Sequence, residues 1–280
     1  LRQAVIVFTK VPRIGDIKTR LTKEKGGILT TEEAKILYEA CLLDVIEVAM
    51  AACEDEGAEL WICHDAIGDG AYLQSLLKGL PHPEKVKGVF ADRGGSFDDC
   101  MQFAADYILK PREGTRKADS VIIIGGDLPT LQPATLKKAF TALARFSQSE
   151  AGREVVLQAG NPSTPAIGAA LVEAPCQEGG FSLVGYTWAT PFDFYGVFYN
   201  SDGITALDML VNKAVAKKIP FTVLEMVPDV DIPIDLASII PVLRSLELAA
   251  ATDADVMVPR RTLAVLRELG LEATALPPER

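Results

Sequence analysis

Two histidines, His64 and His82, are all that this 280-residue chain contains. A His-based zinc centre or a Ser-His-Asp hydrolase has almost no material to work with. Cysteine is also sparse. Cys41, Cys53, Cys63, Cys100 and Cys176 are widely spaced, odd in number and never form a C-x-x-C pair. That argues against a disulfide framework or a Cys-rich zinc site and makes reduced, buried thiols the expectation. No apolar run approaches the roughly 20 residues needed to cross a bilayer. No Pro/Gly/Ser-rich linker and no internal repeat interrupts the sequence. Basic charge is in deficit: 28 Lys and Arg against 38 Asp and Glu give a net charge of −10. A field of that sign repels nucleic acid and anionic membrane, so neither is expected as a partner. The chain opens directly in an apolar run, without a basic n-region or cleavage site, and a cytoplasmic location is the expectation.

What is present is apolar material, 49% of the residues. That suffices for a large core and excludes global disorder. Short apolar runs at residues 4–8, 59–63, 86–90, 120–124, 154–158 and 221–226 read as strands. Amphipathic or capped stretches at about 32–52, 70–78, 97–109, 133–145, 203–218, after Pro233 and at 262–269 read as helices. Thr30 and Glu33 form a capping-box pattern before the first of these, and Pro133 suits a first helical turn. Residues 160–200 differ, being rich in Pro, Gly and aromatics with little helical periodicity. Residues 277–280 read as a frayed tail. Strands alternating with helices predict an α/β fold, a mainly parallel sheet covered on both faces. One domain over 1–280 is expected, with 160–200 as an embedded subregion and 237–280 as a C-terminal helical extension.

In such sheets ligands bind beyond the carboxyl ends of the strands, so residues just after each strand are the candidates. After the first strand, the run from Phe8 and Thr9 to Leu21 holds Lys10, Arg13, Lys18 and Arg20 in an otherwise acidic chain. Gly15 in the same loop permits close backbone approach. Cations and free N–H groups there would suit phosphates; the bland alternative is a solvated basic loop. It is not a P-loop, because Asp16 and Ile17 separate Gly15 from Lys18. Gly125-Gly126-Asp127-Leu128-Pro129 ends the most apolar strand, placing Asp127 where a metal-bound phosphate would lie, or else as a helix or turn cap. Asp229, Asp231 and Asp235 follow the last main strand. Asp231 reads equally as a helix cap or as facing the metal, whereas Asp235, in a helix's first turn, reads as structural. Glu178, Gly179 and Gly180 read as a tight turn or as a close approach to substrate.

Elsewhere His64 reads as a turn residue beside the site and His82 as a loop residue. Arg93-Gly94-Gly95-Ser96 precedes a helix and offers a second anion site at its N-terminus, with Asp98 and Asp99 complementing the dipole. The aromatics Trp188, Phe192, Phe194, Tyr195, Phe198 and Tyr199 read as core or pocket wall rather than a partner surface; homodimerisation through them is the alternative.

Taken in order, these segments resemble the nucleotide-diphospho-sugar transferases of GT-A fold, in particular their glycosyltransferase-like and nucleotidyltransferase-like prokaryotic branch. That branch opens with K-x-P-x-x-G-x-x-K-T-R-L, matched by Lys10, Pro12, Gly15, Lys18, Thr19, Arg20 and Leu21. Its G-x-D-x-P is matched by Gly125, Asp127 and Pro129, and its D-G-G-Y-Y-L-x-G loosely by Glu178 through Gly185. Its D-x-D-T-P-x-D-L is matched by Asp229, Asp231, Pro233, Asp235 and Leu236. The resemblance implies a three-layer α/β/α sandwich with a mixed, mainly parallel sheet. It implies a nucleoside triphosphate or nucleotide-sugar held by Phe8, Thr9, Lys10, Pro12, Gly15, Lys18 and Arg20. It implies Mg2+ or Mn2+ on Asp127, with Asp231, and Lys18 and Asp127 as the catalytic pair. An unknown acceptor would meet Glu178, Gly179 and Gly180. Related branches attach a nucleotide to a phosphate acceptor and release pyrophosphate, and the expected activity is nucleotidyl or glycosyl transfer. Two positions depart from the pattern: Glu178 replaces Asp, and Ile232 replaces the helix-capping Thr. They motivate the alternative of a catalytically silent nucleotide-binding or regulatory protein of the same fold. The missing cap would be lost or taken over by Asp231, at about 1 kcal/mol.

Overall fold

The computed structural model describes residues 1–160 and 166–273. Part of the 160–200 subregion, residues 161–165, and the tail at 277–280 lie outside the described residues. Among the described residues seven strands form one sheet: β1 (Gln3–Thr9), β2 (Glu59–His64), β3 (Val86–Ala91), β4 (Ser120–Gly125), β5 (Leu171–Pro175), β6 (Phe181–Thr187) and β7 (Phe221–Val223). Their order is β3-β2-β1-β4-β6-β5-β7. β1 runs parallel to β2 and β4, β2 to β3, and β5 to β7; β6 is antiparallel to both β4 and β5. The sheet is therefore mixed and mainly parallel.

The central strands β1 and β4 are apolar through their middles, at residues 4–8 and 121–124, because both faces are covered. Val5, Val7, Ile122 and Ile124 point into one core, under α1 (Thr31–Glu56), α2 (Gly70–Leu77) and α4 (Pro133–Ser147). Ala4, Ile6, Val121 and Ile123 point into the other, under α3 (Phe97–Leu109), α5 (Glu150–Gln158) and α6 (Ala206–Ala216). The result is the three-layer α/β/α sandwich. A third core lies outside α1, where Ala34, Leu37 and Cys41 meet α7 (Pro233–Ala249) and α8 (Arg260–Glu268). Buried on two sides, α1 has no single apolar stripe. Its capping box is formed: Glu33 N donates to Thr30 Oγ1 at 3.1 Å and Thr30 N to Glu33 Oε2 at 2.7 Å.

Residues 154–158 are helix, not strand, and belong to α5. Ser149 caps that helix by accepting from Gly152 N at 3.0 Å, and Gly152, Val155 and Val156 share its buried face. Cap and one-sided burial override the strand preference of the Val pair. The strands that complete the sheet lie instead within 160–200, as β5 and β6. All five cysteines are buried and unbridged, as expected. No helix among the described residues is long and apolar enough to cross a membrane.

Candidate functional site

The chain leaves β1 for β2 on one side, while β4 returns to pair on the other. The carboxyl ends of β1 and β4 thus flank a topological switch point, the crevice where ligands bind in open α/β sheets. Three segments converge there: the loop after β1, the turn after β4 and the extended stretch before α7.

Apolar anchors position two of them. Leu21, fully buried, ends the first loop and packs in the third core with Leu29, Leu37, Val230 and Leu236. Each such side chain contributes roughly 1.5–3 kcal/mol of burial. Gly27 lets the loop fold back on Leu21: a Cβ there would lie 2.1 Å from the Leu21 carbonyl oxygen. Val230 enters the same core, and its N–H donates to the Asp127 carbonyl at 3.1 Å. Its neighbours Asp229 and Asp231, two apart on an extended chain, then share the opposite face.

The outcome is a compact charged cluster. Carboxylate oxygens of Asp127, Asp229 and Asp231 all lie within 4.8 Å of one another. The Lys18 ammonium donates to Asp127, and to Asp231 Oδ1 at 2.8 Å, with only 8% of its side chain exposed. Arg20 Nη2 sits 3.4 Å from Asp231 Oδ2, and Nη1 4.0 Å from Glu178 Oε2. Burial works against the Lys18 charge, but Asp127 and then Asp231 outweigh it and raise its pKa. Burial, then the like charges of Asp127 and Asp231, push the Asp229 carboxyl up to about 6.

The floor of the crevice is neutral and tightly packed. Thr9, 4% exposed, shares a 2.6 Å hydrogen bond with the Tyr38 hydroxyl of α1, and the Tyr38 ring lies 5.6 Å from Lys18 Nζ. Gly126 leaves this packing room, since a Cβ would meet Leu42 Cδ1 at 2.8 Å and the Tyr38 hydroxyl at 3.1 Å and push those side chains aside. Gln177 ties the acidic stretch down: its Nε2 donates to the Asp229 carbonyl and its Oε1 accepts from Asp229 N, both at 3.1 Å. Tyr38 and Gln177 did not stand out in the sequence as site residues, and Asp229, matched to the D-x-D pattern, was assigned no role there. Asp229 had a legible signal, its i, i+2 spacing from Asp231; Tyr38 and Gln177 had none.

Other candidates fall in different places. Lys10 is exposed and has no carboxylate within 4.0 Å among the described residues, whereas Pro12 is buried and Gly15 exposed with φ 76°. Phe8 packs edge-on against Phe97, ring centroids 5.7 Å apart. Arg13 does not join the cluster; it pairs with Asp16 at 2.5 Å and Asp65 at 3.1 Å, stapling the loop to the end of β2. Glu178 adopts φ 57°, an uncommon left-handed conformation for a non-glycine residue. Gly179 follows at φ 73°, where a Cβ would meet Thr205 Cγ2 at 2.6 Å.

The side-chain cap of α7 is lost, since its N-cap Ile232 makes no side-chain hydrogen bond, and Asp231 does not replace it. The Asp235 carboxylate accepts from Ile232 N at 2.8 Å and Asp231 N at 2.9 Å, which leaves the Asp231 carboxylate facing Lys18 and Arg20. His64 is the buried last residue of β2 rather than a turn residue, paired with Thr9 and Ala91 in the sheet, and its Nδ1 lies 2.9 Å from the Asp65 carbonyl. The α3 N-terminus is served by the chain's own capping box, Ser96 with Asp99. Asp98 does more than complement the dipole: it accepts from Gly196 N at 2.7 Å and Phe198 N at 2.9 Å. Of the aromatics, Phe192 and Phe194 are core, whereas Tyr195 and Tyr199 are exposed.

The fold that carries this cluster is that of the nucleotide-diphospho-sugar transferases. The chain superposes on a crystal structure from Desulfovibrio desulfuricans named as a "putative nucleotide-diphospho-sugar transferase", with a TM-score of 0.66, 20% identity, and 96% of this chain and 95% of that one covered. The protein belongs to the family described as "Uncharacterized protein conserved in bacteria (DUF2064)", whose model matches residues 48–201, more than half of the chain. A CMP:2-keto-3-deoxy-manno-octonic acid synthetase complexed with CTP also aligns, covering 87% of this chain and 99% of that one. Its 14% identity and TM-score of 0.43 are too slight to bear weight. A comparison with curated proteins found no match.

Proposed function

We propose that the protein is a metal-dependent transferase that binds a nucleoside triphosphate or nucleotide-sugar and passes its nucleotidyl or glycosyl group to an acceptor. One observation carries this: three carboxylates and two cations, Lys18 and Arg20, meet at the switch point of a nucleotide-diphospho-sugar transferase fold. The donor set is all carboxylate oxygen, without His or Cys, which fits hard Mg2+ or Mn2+. Asp127 and Asp231 would hold the ion, with Asp229 as a third donor. A bound ion supplies positive charge against the phosphate oxygens where negative charge develops.

The remaining work is done by the chain. Lys18 and Arg20 neutralise charge on the transferred or departing phosphate. Lys10, free of carboxylate partners within 4.0 Å among the described residues, meets the phosphates first. Thr9, Pro12 and Gly15 shape the loop around the nucleotide, and Phe8 buttresses it through Phe97. Glu178, Gly179 and Gly180 face the acceptor, near Arg20. Catalysis of this kind is positioning plus electrostatic stabilisation and requires no Ser, His or Cys nucleophile.

The test is a thermal-shift series over nucleoside triphosphates and nucleotide-sugars with and without Mg2+. A metal-dependent rise in melting temperature is expected for one ligand class, absent in Asp127→Asn, whose ligand-free melting point stays within a few degrees of the wild type. An unaltered response in that variant removes Asp127 from the site. Binding without turnover of any ligand tested would point to the silent binding protein.

A further inference from the structure

We propose that Lys18 is a resident substitute for the metal ion, so that the ion must displace Lys18 from its carboxylates, an exchange that a phosphate ligand promotes by drawing the lysine away. This rests on reading Asp127, Asp229 and Asp231 as the metal site. In the free protein the Lys18 ammonium is bound by Asp127 and by Asp231 Oδ1, oxygens that a divalent ion would need. It is nearly sealed from solvent, 8% exposed, so it is no casual surface pair. An ammonium and a divalent cation repel and compete for those oxygens, so binding of the ion works against the lysine staying there.

The local backbone keeps the root of this side chain fixed. Lys18 sits at φ 50° and ψ 38°, between buried Ile17 and the short 3-10 turn Thr19–Leu21, with Leu21 locked in the core. The four-carbon stem can still swing its ammonium, a compact point charge with three donors. Phosphate oxygens at the crevice mouth would offer it a new anionic partner as the ion takes over the carboxylates. Ion and phosphate ligand then favour each other by mutual linkage, because each removes the obstacle to the other. Arg20, also on Asp231 and half-exposed, shields that carboxylate during the exchange.

The probe is Mn2+ alone, titrated into nucleotide-free protein and followed by loss of the free-ion EPR signal. Lys18→Met should bind Mn2+ at least tenfold more tightly than the wild type, and Lys18→Met combined with Asp127→Asn should lose that gain. In the unaltered chain, saturating Mn2+ should raise the rate of Lys18 acetylation by acetic anhydride several-fold, read by peptide mass spectrometry. This second arm does not depend on the stability of a variant. Equal Mn2+ affinity in wild type and Lys18→Met, abolished in both by Asp127→Asn, overturns the exchange but keeps the metal site. So does Lys18 remaining as protected with Mn2+ bound as without it. Absence of Mn2+ binding in every protein removes the metal site, and the exchange with it.

Discussion

Glu173 lies in the middle of β5 with 2% of its surface exposed, and its Oε2 has no hydrogen-bond partner among the described residues. Strand alternation puts it on the face under α3 and α6, between Leu171 of one core and neighbours Val172 and Ala174 of the other. Burial pushes its carboxyl up to about 7. The folded chain therefore holds a proton there that the unfolded chain, titrating near 4.3, has released. Between those two values the folded state binds more protons, so stability falls as pH rises and the loss levels off above about 7. Glu173→Gln removes the titration. The variant should gain on the wild type by on the order of 3 kcal/mol between pH 5 and pH 8. Urea denaturation of both proteins at the two pH values measures this, and an equal difference at both would contradict it.

At the scale of elements, α8 begins without a cap of its own: its N-cap is Pro259 and makes no side-chain hydrogen bond. The missing acceptor comes from α1. Buried Asp44 accepts from Thr262 N and Thr262 Oγ1, both at 2.8 Å, and from Arg261 N at 3.3 Å and Nη1 at 3.2 Å. Asp44→Ala would strand these donors and leave Arg261 only its 2.7 Å bond to Glu47 among carboxylates. A loss of about 2–4 kcal/mol is expected, with new proteolytic cleavage around α8. Unchanged stability would mean that α8 is held by its apolar face alone. None of this was legible in the sequence, where Asp44 is one acid in a long helix; the pairing spans more than 200 residues. Helices with local signals were legible: Thr30 with Glu33 marked α1 and Pro133 marked α4. Where the local signal was strand-like but the context was not, at Val155 and Val156, the reading failed. β5 and β6 went unread because Pro and Gly dominate their surroundings and their order depends on partners far away in the chain.

At the scale of the whole molecule, the sheet brings together three segments that the sequence holds far apart. Their motifs were legible one by one, since Gly, Lys and Asp at strand ends announce themselves. Their mutual geometry was not. Arg13, which the sequence grouped with the cationic loop, is drawn off by Asp65 because β2 ends beside it. Asp231, read as equally a cap or a ligand, does not cap α7; its carboxylate faces Lys18 and Arg20. In a chain of net charge −10, an anionic ligand can dwell only where cations gather or a metal offsets the field. The crevice between β1 and β4 gathers Lys18 and Arg20 around three carboxylates, and a nucleotide bound there would owe its place to that convergence. Anomalous diffraction from crystals soaked with Mn2+ and a nucleoside triphosphate tests it most directly. The predicted result is a Mn2+ peak among Asp127, Asp229 and Asp231 with the phosphates beside Lys18 and Arg20; a nucleotide bound elsewhere, with Lys18 still on Asp127, would contradict it.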